Sequence, residues 1–121
     1  MSQYLPIYEL ADAPFTLTLT GTVTGGQLVT WAGAVAGSAS TSVAGVASQD
    51  GVAGDKITVW GIGKHRGTAS GAIAQGDPLC AGASGTIRTW ISGTDAVASR
   101  IARAMAAAAD TASVPYSLFG V

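Results

Sequence analysis

Thr16-Leu17-Thr18-Leu19-Thr20-Gly21-Thr22-Val23-Thr24 places threonine at every even position, with Leu17, Leu19 and Val23 between. Such period-two alternation of polar β-branched and apolar residues marks a strand buried on one face. Gly25-Gly26 ends the run, and Gln27-Leu28-Val29-Thr30-Trp31 reads as a second short strand. Residues 32–42 are Ala, Gly, Ser and Thr with one Val, a turn or loop composition. Strands are expected again over 43–48 and 56–60, separated by the turn residues Gln49-Asp50-Gly51 and Gly54-Asp55.

The second half replays the first. Gly25-Gly26-Gln27-Leu28 aligns with Gly76-Asp77-Pro78-Leu79 at a shift of 51. Gly45-x-Ala47, a small-residue tract and Ile57-x-Val59 align with Ala102-x-Ala104, the alanines at 106–109 and Val114-x-Tyr116 at a shift of 57, which implies six inserted residues. The expected fold is therefore mainly β: a small barrel or sandwich of two similar short-strand units, joined through residues 61–76. Residues 94–110 carry conflicting signals. Thr94 suits an N-cap, and Val97, Ile101 and Met105 recur every fourth residue among alanines, which favours one short helix. The repeat requires a strand, and strand over 99–105 is the expectation, with the helix as the alternative.

Composition narrows the function classes. The chain has 121 residues, enough for one small domain. It carries 23 Ala and 17 Gly, a third of its length, so much of it has almost no side chain to pack. Charged residues make up 11%, against about 25% in ordinary domains. Six basic residues dispersed among seven acidic ones give no electrostatic footprint for nucleic acid or an anionic membrane. No run of 18 apolar residues predicts a membrane span, and Pro6, Glu9, Asp12 and Pro14 interrupt any signal-peptide core. Synthesis in the cytoplasm is expected.

Chemistry is sparse. Cys80 has no second cysteine to pair with, and a single histidine, His65, cannot assemble a common protein-only zinc site. Neither metal nor cofactor is expected. Gly61-Ile62-Gly63-Lys64-His65-Arg66-Gly67 lacks the spacer and the Ser/Thr of a phosphate-binding loop and reads as an exposed turn or strand end. Ser84, in Gly82-Ala83-Ser84-Gly85, is not a nucleophile elbow and reads as a turn. Cys80 reads as a buried small hydrophobe. The aspartates at 50, 55, 77, 95 and 110 suit Asx-turns better than a calcium loop. No catalytic residue is expected. Trp31, Trp60 and Trp90 fall at strand ends, and are candidates for subunit or partner contacts, with core packing as the competing reading.

Residues 1–15 differ from the rest. Tyr4, Leu5, Pro6, Ile7, Tyr8, Leu10 and Phe15 gather large apolar groups without steady periodicity, and Pro6 and Pro14 hold their predecessors extended. The expectation is an extended arm whose side chains seek a surface, followed by a β-rich body over 16–121.

Several stretches carry a family likeness. They are Gly26 to Val29, Val43-Ala44-Gly45-Val46-Ala47, Gly54-Asp55-x-Ile57-Thr58-Val59, and Gly71-Ala72-Ile73-Ala74-Gln75-Gly76-Asp77-Pro78-Leu79. Ile101-Ala102-Arg103-Ala104-Met105, followed by alanines and an aspartate, completes the set. In this order they resemble the head-decoration, or capsid cement, proteins of tailed bacteriophages, and more remotely the mostly-β lambda decoration protein. Ala108-Ala109-Asp110-Thr111 departs from the pattern, which more often has glycine before the acidic residue. The resemblance implies a virion protein on the outer capsid surface, a homotrimer bound to the major capsid protein that bridges capsomers of the expanded head without enzymatic activity. It also implies that the arm, Tyr4 to Leu10 with Phe15, contacts the capsid.

Burying six large side chains yields about 10–15 kcal/mol. Ordering about fifteen residues costs about 1–2 kcal/mol each. One arm alone is therefore expected to bind marginally, and three on one body roughly 100- to 10,000-fold better. The arm is expected to be disordered in the free protein and to add a strand to a capsid-protein edge. A second class of reading is an adhesion or carbohydrate-binding module using the tryptophans.

Overall fold

The computed structural model describes residues 14–119. The threonine-rich opening forms β1 (Phe15–Thr18), with Phe15 and Leu17 half-buried and Thr16 and Thr18 exposed, as the alternation requires. There follow β2 (Leu28–Thr30), β3 (Val43–Ala47), β4 (Lys56–Trp60), β5 (Gly63–Thr68), β6 (Pro78–Ala81), β7 (Ile87–Thr89), β8 (Ala102–Ala104) and β9 (Ser113–Leu118). Single 3-10 turns occupy Ala83–Gly85 and Val97–Ser99. The helix alternative for 94–110 is thus reduced to one short turn, and the strand required by the repeat is β8.

All ladders are antiparallel. One sheet runs β1-β4-β3-β2 and the other β5-β9-β8-β6-β7, so the second repeats the order of the first and adds β7 at its edge. The correspondence holds residue by residue. Adding 50 within β1 and β2 and 57 within β3 and β4 converts Phe15↔Val59 into His65↔Tyr116, Leu28↔Val46 into Pro78↔Arg103, and Val46↔Trp60 into Arg103↔Ser117. The first shift is 50 rather than the expected 51, and the insertion is seven residues rather than six. Backbone geometry sets this register: the left-handed turn residue is Gly26 (φ +92°), and its counterpart is Gly76 (φ +86°). Their amides donate to Ala47 and Ala104 respectively, which are themselves 57 apart.

The joint between units is also shorter than expected. Only Gly61 and Ile62 separate β4 from β5, and residues 63–68 form the first strand of the second unit. Its sequence, Gly-Lys-His-Arg-Gly-Thr, is too polar to announce a strand; β9 holds it through six paired positions.

Neither sheet closes into a barrel among the described residues, which corrects one of the two expected architectures. Closure needs the last strand to pair along the first. Here each sheet only curls until its ends touch. In the first, the amide of Thr20 donates to the Gly33 carbonyl at 2.9 Å. Gly33 (φ +86°) lies so close to the Thr18 carbonyl that no side chain fits between them. In the second, the equivalent closure is one bridge, Ala69↔Ile87.

Each unit encloses its own core. Leu19, Val23, Val29, Ala47, Ile57 and Val59 fill the first, with Phe15, Leu17 and Val35 packed against them. Their counterparts Ala69, Ile73, Leu79, Ala104, Val114 and Tyr116 belong to a larger cluster, which Leu28, Ala36, Val43 and Val46 of the first unit complete. Val29 and Ala47 face inward, so Leu28 and Val46 point from the opposite face of the first sheet and bury themselves against the second unit. That is why β3 is buried at all five positions.

Candidate functional surface

The first described strand begins at an aromatic pair. Phe15 pairs with Val59 in the ladder, and its ring stacks on Trp31 with centroids 5.3 Å apart and planes 20° from parallel. Trp31 follows the last residue of β2 and covers Phe15 at the margin of the first core while remaining 55% exposed. Phe15, grouped with the arm by composition, is thus the first residue of β1. Tyr4, Leu5, Pro6, Ile7, Tyr8 and Leu10 lie outside the described residues.

The three tryptophans do not form one platform. Trp31 packs with Phe15 on the inward side of its sheet, whereas Trp60, next to the inward Val59, points from the opposite face and is 44% exposed. Trp90 follows β7 in the second unit and is half-buried. Its indole N–H donates to the Ala96 carbonyl at 2.9 Å, and the Arg100 guanidinium lies 5.3 Å from its ring centroid. Those contacts anchor the inserted loop.

That loop is braced further. Arg88 donates two hydrogen bonds of 2.8 Å to the Asp95 carboxylate, which also accepts the Ile91 amide at 2.8 Å. The Arg88 bonds, with the Ile91 bond second, hold the Asp95 carboxyl down at about 2. The brace leaves Ile91 and Val97 projecting into solvent.

The other aspartates tie turns. Asp55 accepts the Val52 amide and Asp77 the Ala74 amide, three residues back in each unit; Asp50 accepts the Gly25 amide and Asp110 the Gly71 amide. His65 Nε2 lies 2.8 Å from the Gly61 carbonyl, and its ring sits 5.9 Å from that of Tyr116. Cys80 is buried, and burial pushes its thiol up from the ordinary range. These groups are engaged in local structure rather than brought together around a reacting centre.

Concavities mark the surface of both units. A cleft of about 550 Å³ runs between the units and is lined by hydroxyls of Thr24, Thr68, Ser84, Thr86 and Ser113 together with Arg66. None of its described lining residues is aromatic. A shallower depression of about 300 Å³ lies over Lys64, His65, Arg66, Met105 and Pro115. Sequence reasoning missed this second surface, because it joins Lys64, His65 and Arg66 of β5 to Met105 and Pro115, which are distant in the chain. The detectable signal was the alternation of Lys64 and Arg66 with His65 and Gly67.

Comparison with solved structures finds the same fold in the N base of the head fiber gp8.5 of bacteriophage phi29. The TM-score is 0.65 at 19% identity, covering 88% of this chain and 92% of that one. No curated protein matches the chain. Among protein families, residues 11–117 match the one described as phage cement protein.

Proposed function

The chain belongs to the phage cement protein family, a capsid-associated class of structural proteins, and from that premise we propose that it binds the outer surface of the expanded head as a trimer and stabilises contacts between capsomers. The observation that carries this reading is the family match, which spans both repeat units and begins at residue 11, within the arm. The arm, with Tyr4, Leu5, Pro6, Ile7, Tyr8, Leu10 and Phe15, is the proposed capsid-binding segment, and Phe15 under Trp31 fixes its root to the body. The partner is the major capsid protein, and the action is non-enzymatic.

The carbohydrate-binding alternative is less well supported. Trp31 and Trp60 lie on opposite faces, Trp90 is committed to its loop, and the hydroxyl-lined cleft lacks an aromatic stacking surface among its described residues.

The test is to delete residues 2–14 and measure occupancy on purified expanded shells. Occupancy should fall by at least tenfold at equal protein concentration. Undiminished binding removes the arm from the mechanism. The mass of the free protein and of the bound oligomer distinguishes a preformed trimer from one assembled on the shell.

A further inference from the structure

The outward face of the second sheet carries half of the chain's basic residues. Lys64 pairs across the ladder with Ser117, and Ser117 with Arg103, so these three stand in one row. Arg66 pairs with Pro115, whose carbonyl accepts the Met105 amide, and this makes a second row. Their ladder neighbours Tyr116 and Ala104 are buried, which turns Lys64, Arg66, Arg103 and Met105 to solvent. No described carboxylate pairs with any of the three cations; the ion pair found among the described residues is Arg88–Asp95. Arg103 donates to the Gly76 carbonyl at 2.8 Å, a neutral acceptor.

Edge protection does not account for this arrangement. Lys64 and Arg66 lie on β5, an edge strand, where charge discourages stray strand pairing. Arg103 lies on β8, between β9 and β6 in the sheet interior. The internal repeat supplies a second observation. The first-unit counterparts of Pro78 and Arg103 are Leu28 and Val46, which are buried against the second unit. The same place in the fold is thus an intramolecular contact face in one unit and a solvated cationic face in the other.

We propose that the face of Lys64, Arg66 and Arg103 docks on an acidic protein surface of the capsid shell. This rests on the capsid-binding reading above and specifies the chemistry of the surface engaged. Like charges gathered on one face raise the local potential, steer an acidic partner into contact and fix its orientation. The depression beside Met105 and Pro115 gives the contact a small apolar centre.

The experiment compares the K64E/R66E variant with K56E/R100E, which makes the same change in net charge on exposed residues elsewhere. Association with purified expanded shells is followed at low and at physiological salt. The expected result is association slowed at least tenfold in K64E/R66E, with its salt dependence flattened, and less than threefold in the control. K64Q/R66Q should fall between wild type and K64E/R66E, and cooperative urea unfolding establishes that all variants are folded. Equal effects in the two reversal variants, or none in K64E/R66E, overturn the proposal while leaving capsid binding intact. Failure of the wild type to bind any shell overturns both readings. Retention of the wild type on duplex DNA at physiological salt, lost in K64E/R66E, reassigns the face to nucleic acid and also overturns the proposal.

Discussion

The ring of Tyr116 occupies space that Gly67 leaves open: its Cε1 lies 3.0 Å from where a Cβ on Gly67 would stand. The first unit solves the same packing problem in reverse. There Leu17 and Leu19 supply the volume and Val59 is the smaller partner, whereas the second unit has Gly67, Ala69 and Tyr116 in those places. Most of the bulk thus moves from one strand to the facing one, which is how a core tolerates divergence between repeats.

Tyr116 brings a cost with its bulk, because its buried hydroxyl has no hydrogen-bond partner among the described residues. Tyr116→Phe should therefore stabilise the protein by about 1 kcal/mol at neutral pH. Burial raises the phenol above its ordinary value of 10.0, so the folded state holds its proton where the unfolded chain releases it. The contribution is complete below pH 10 and is lost progressively as pH rises beyond it. Urea unfolding midpoints at pH 8 to 11 should decline less for Tyr116→Phe than for wild type.

Asp95→Asn removes the ion pair that braces the inserted loop while keeping an oxygen for the Ile91 amide. Amide hydrogen exchange at Ile91 and through the Val97–Ser99 turn should accelerate, with little change in the strands. The Asp95 carboxyl titrates at about 2 when folded and near 3.8 when free, so the brace is complete above pH 4 and is lost as pH falls through 2. Wild-type protection in this loop, relative to intrinsic exchange at each pH, should therefore fall over that interval, and protection in Asp95→Asn should stay flat.

Thr111 adopts φ +68° at the place where Gly54 of the first unit has φ +92°. A β-branched residue is strained in this region. Thr111→Gly should raise stability by about 1 kcal/mol, and Gly54→Thr should lower it by about 1–2 kcal/mol, as read from denaturant midpoints.

Trp31→Ala uncovers Phe15 and removes the stacked pair. A loss of about 1 kcal/mol in unfolding free energy is expected. Leu at position 31, which restores an apolar cover without the stack, should recover part of it. No recovery would mean that the ring geometry rather than apolar cover supplies the contribution.

Much of this architecture is legible in local pattern. The threonine alternation of β1, the Ile57-x-Val59 and Val114-x-Tyr116 strands, and the echo between halves follow from periods of two residues and from recurring turn glycines. β5 was not legible, because Gly-Lys-His-Arg-Gly-Thr has one inward ring and two inward glycines where apolar side chains would be looked for. The helical spacing of Val97, Ile101 and Met105 was misleading. Ile101 is buried in the core while Val97 and Met105 are exposed, so the three share no face.

The candidate surfaces divide in the same way. Composition alone sets the first fifteen residues apart, and the family likeness is carried by motifs quotable from the chain. The separation of the tryptophans and the gathering of Lys64, Arg66 and Arg103 on one face belong to tertiary structure alone. The physical reason is register. Hydrophobic periodicity is fixed by neighbours in the chain, whereas the row Lys64, Ser117, Arg103 exists only because β9 aligns between β5 and β8, and a slip of one residue would turn each of them to the opposite face.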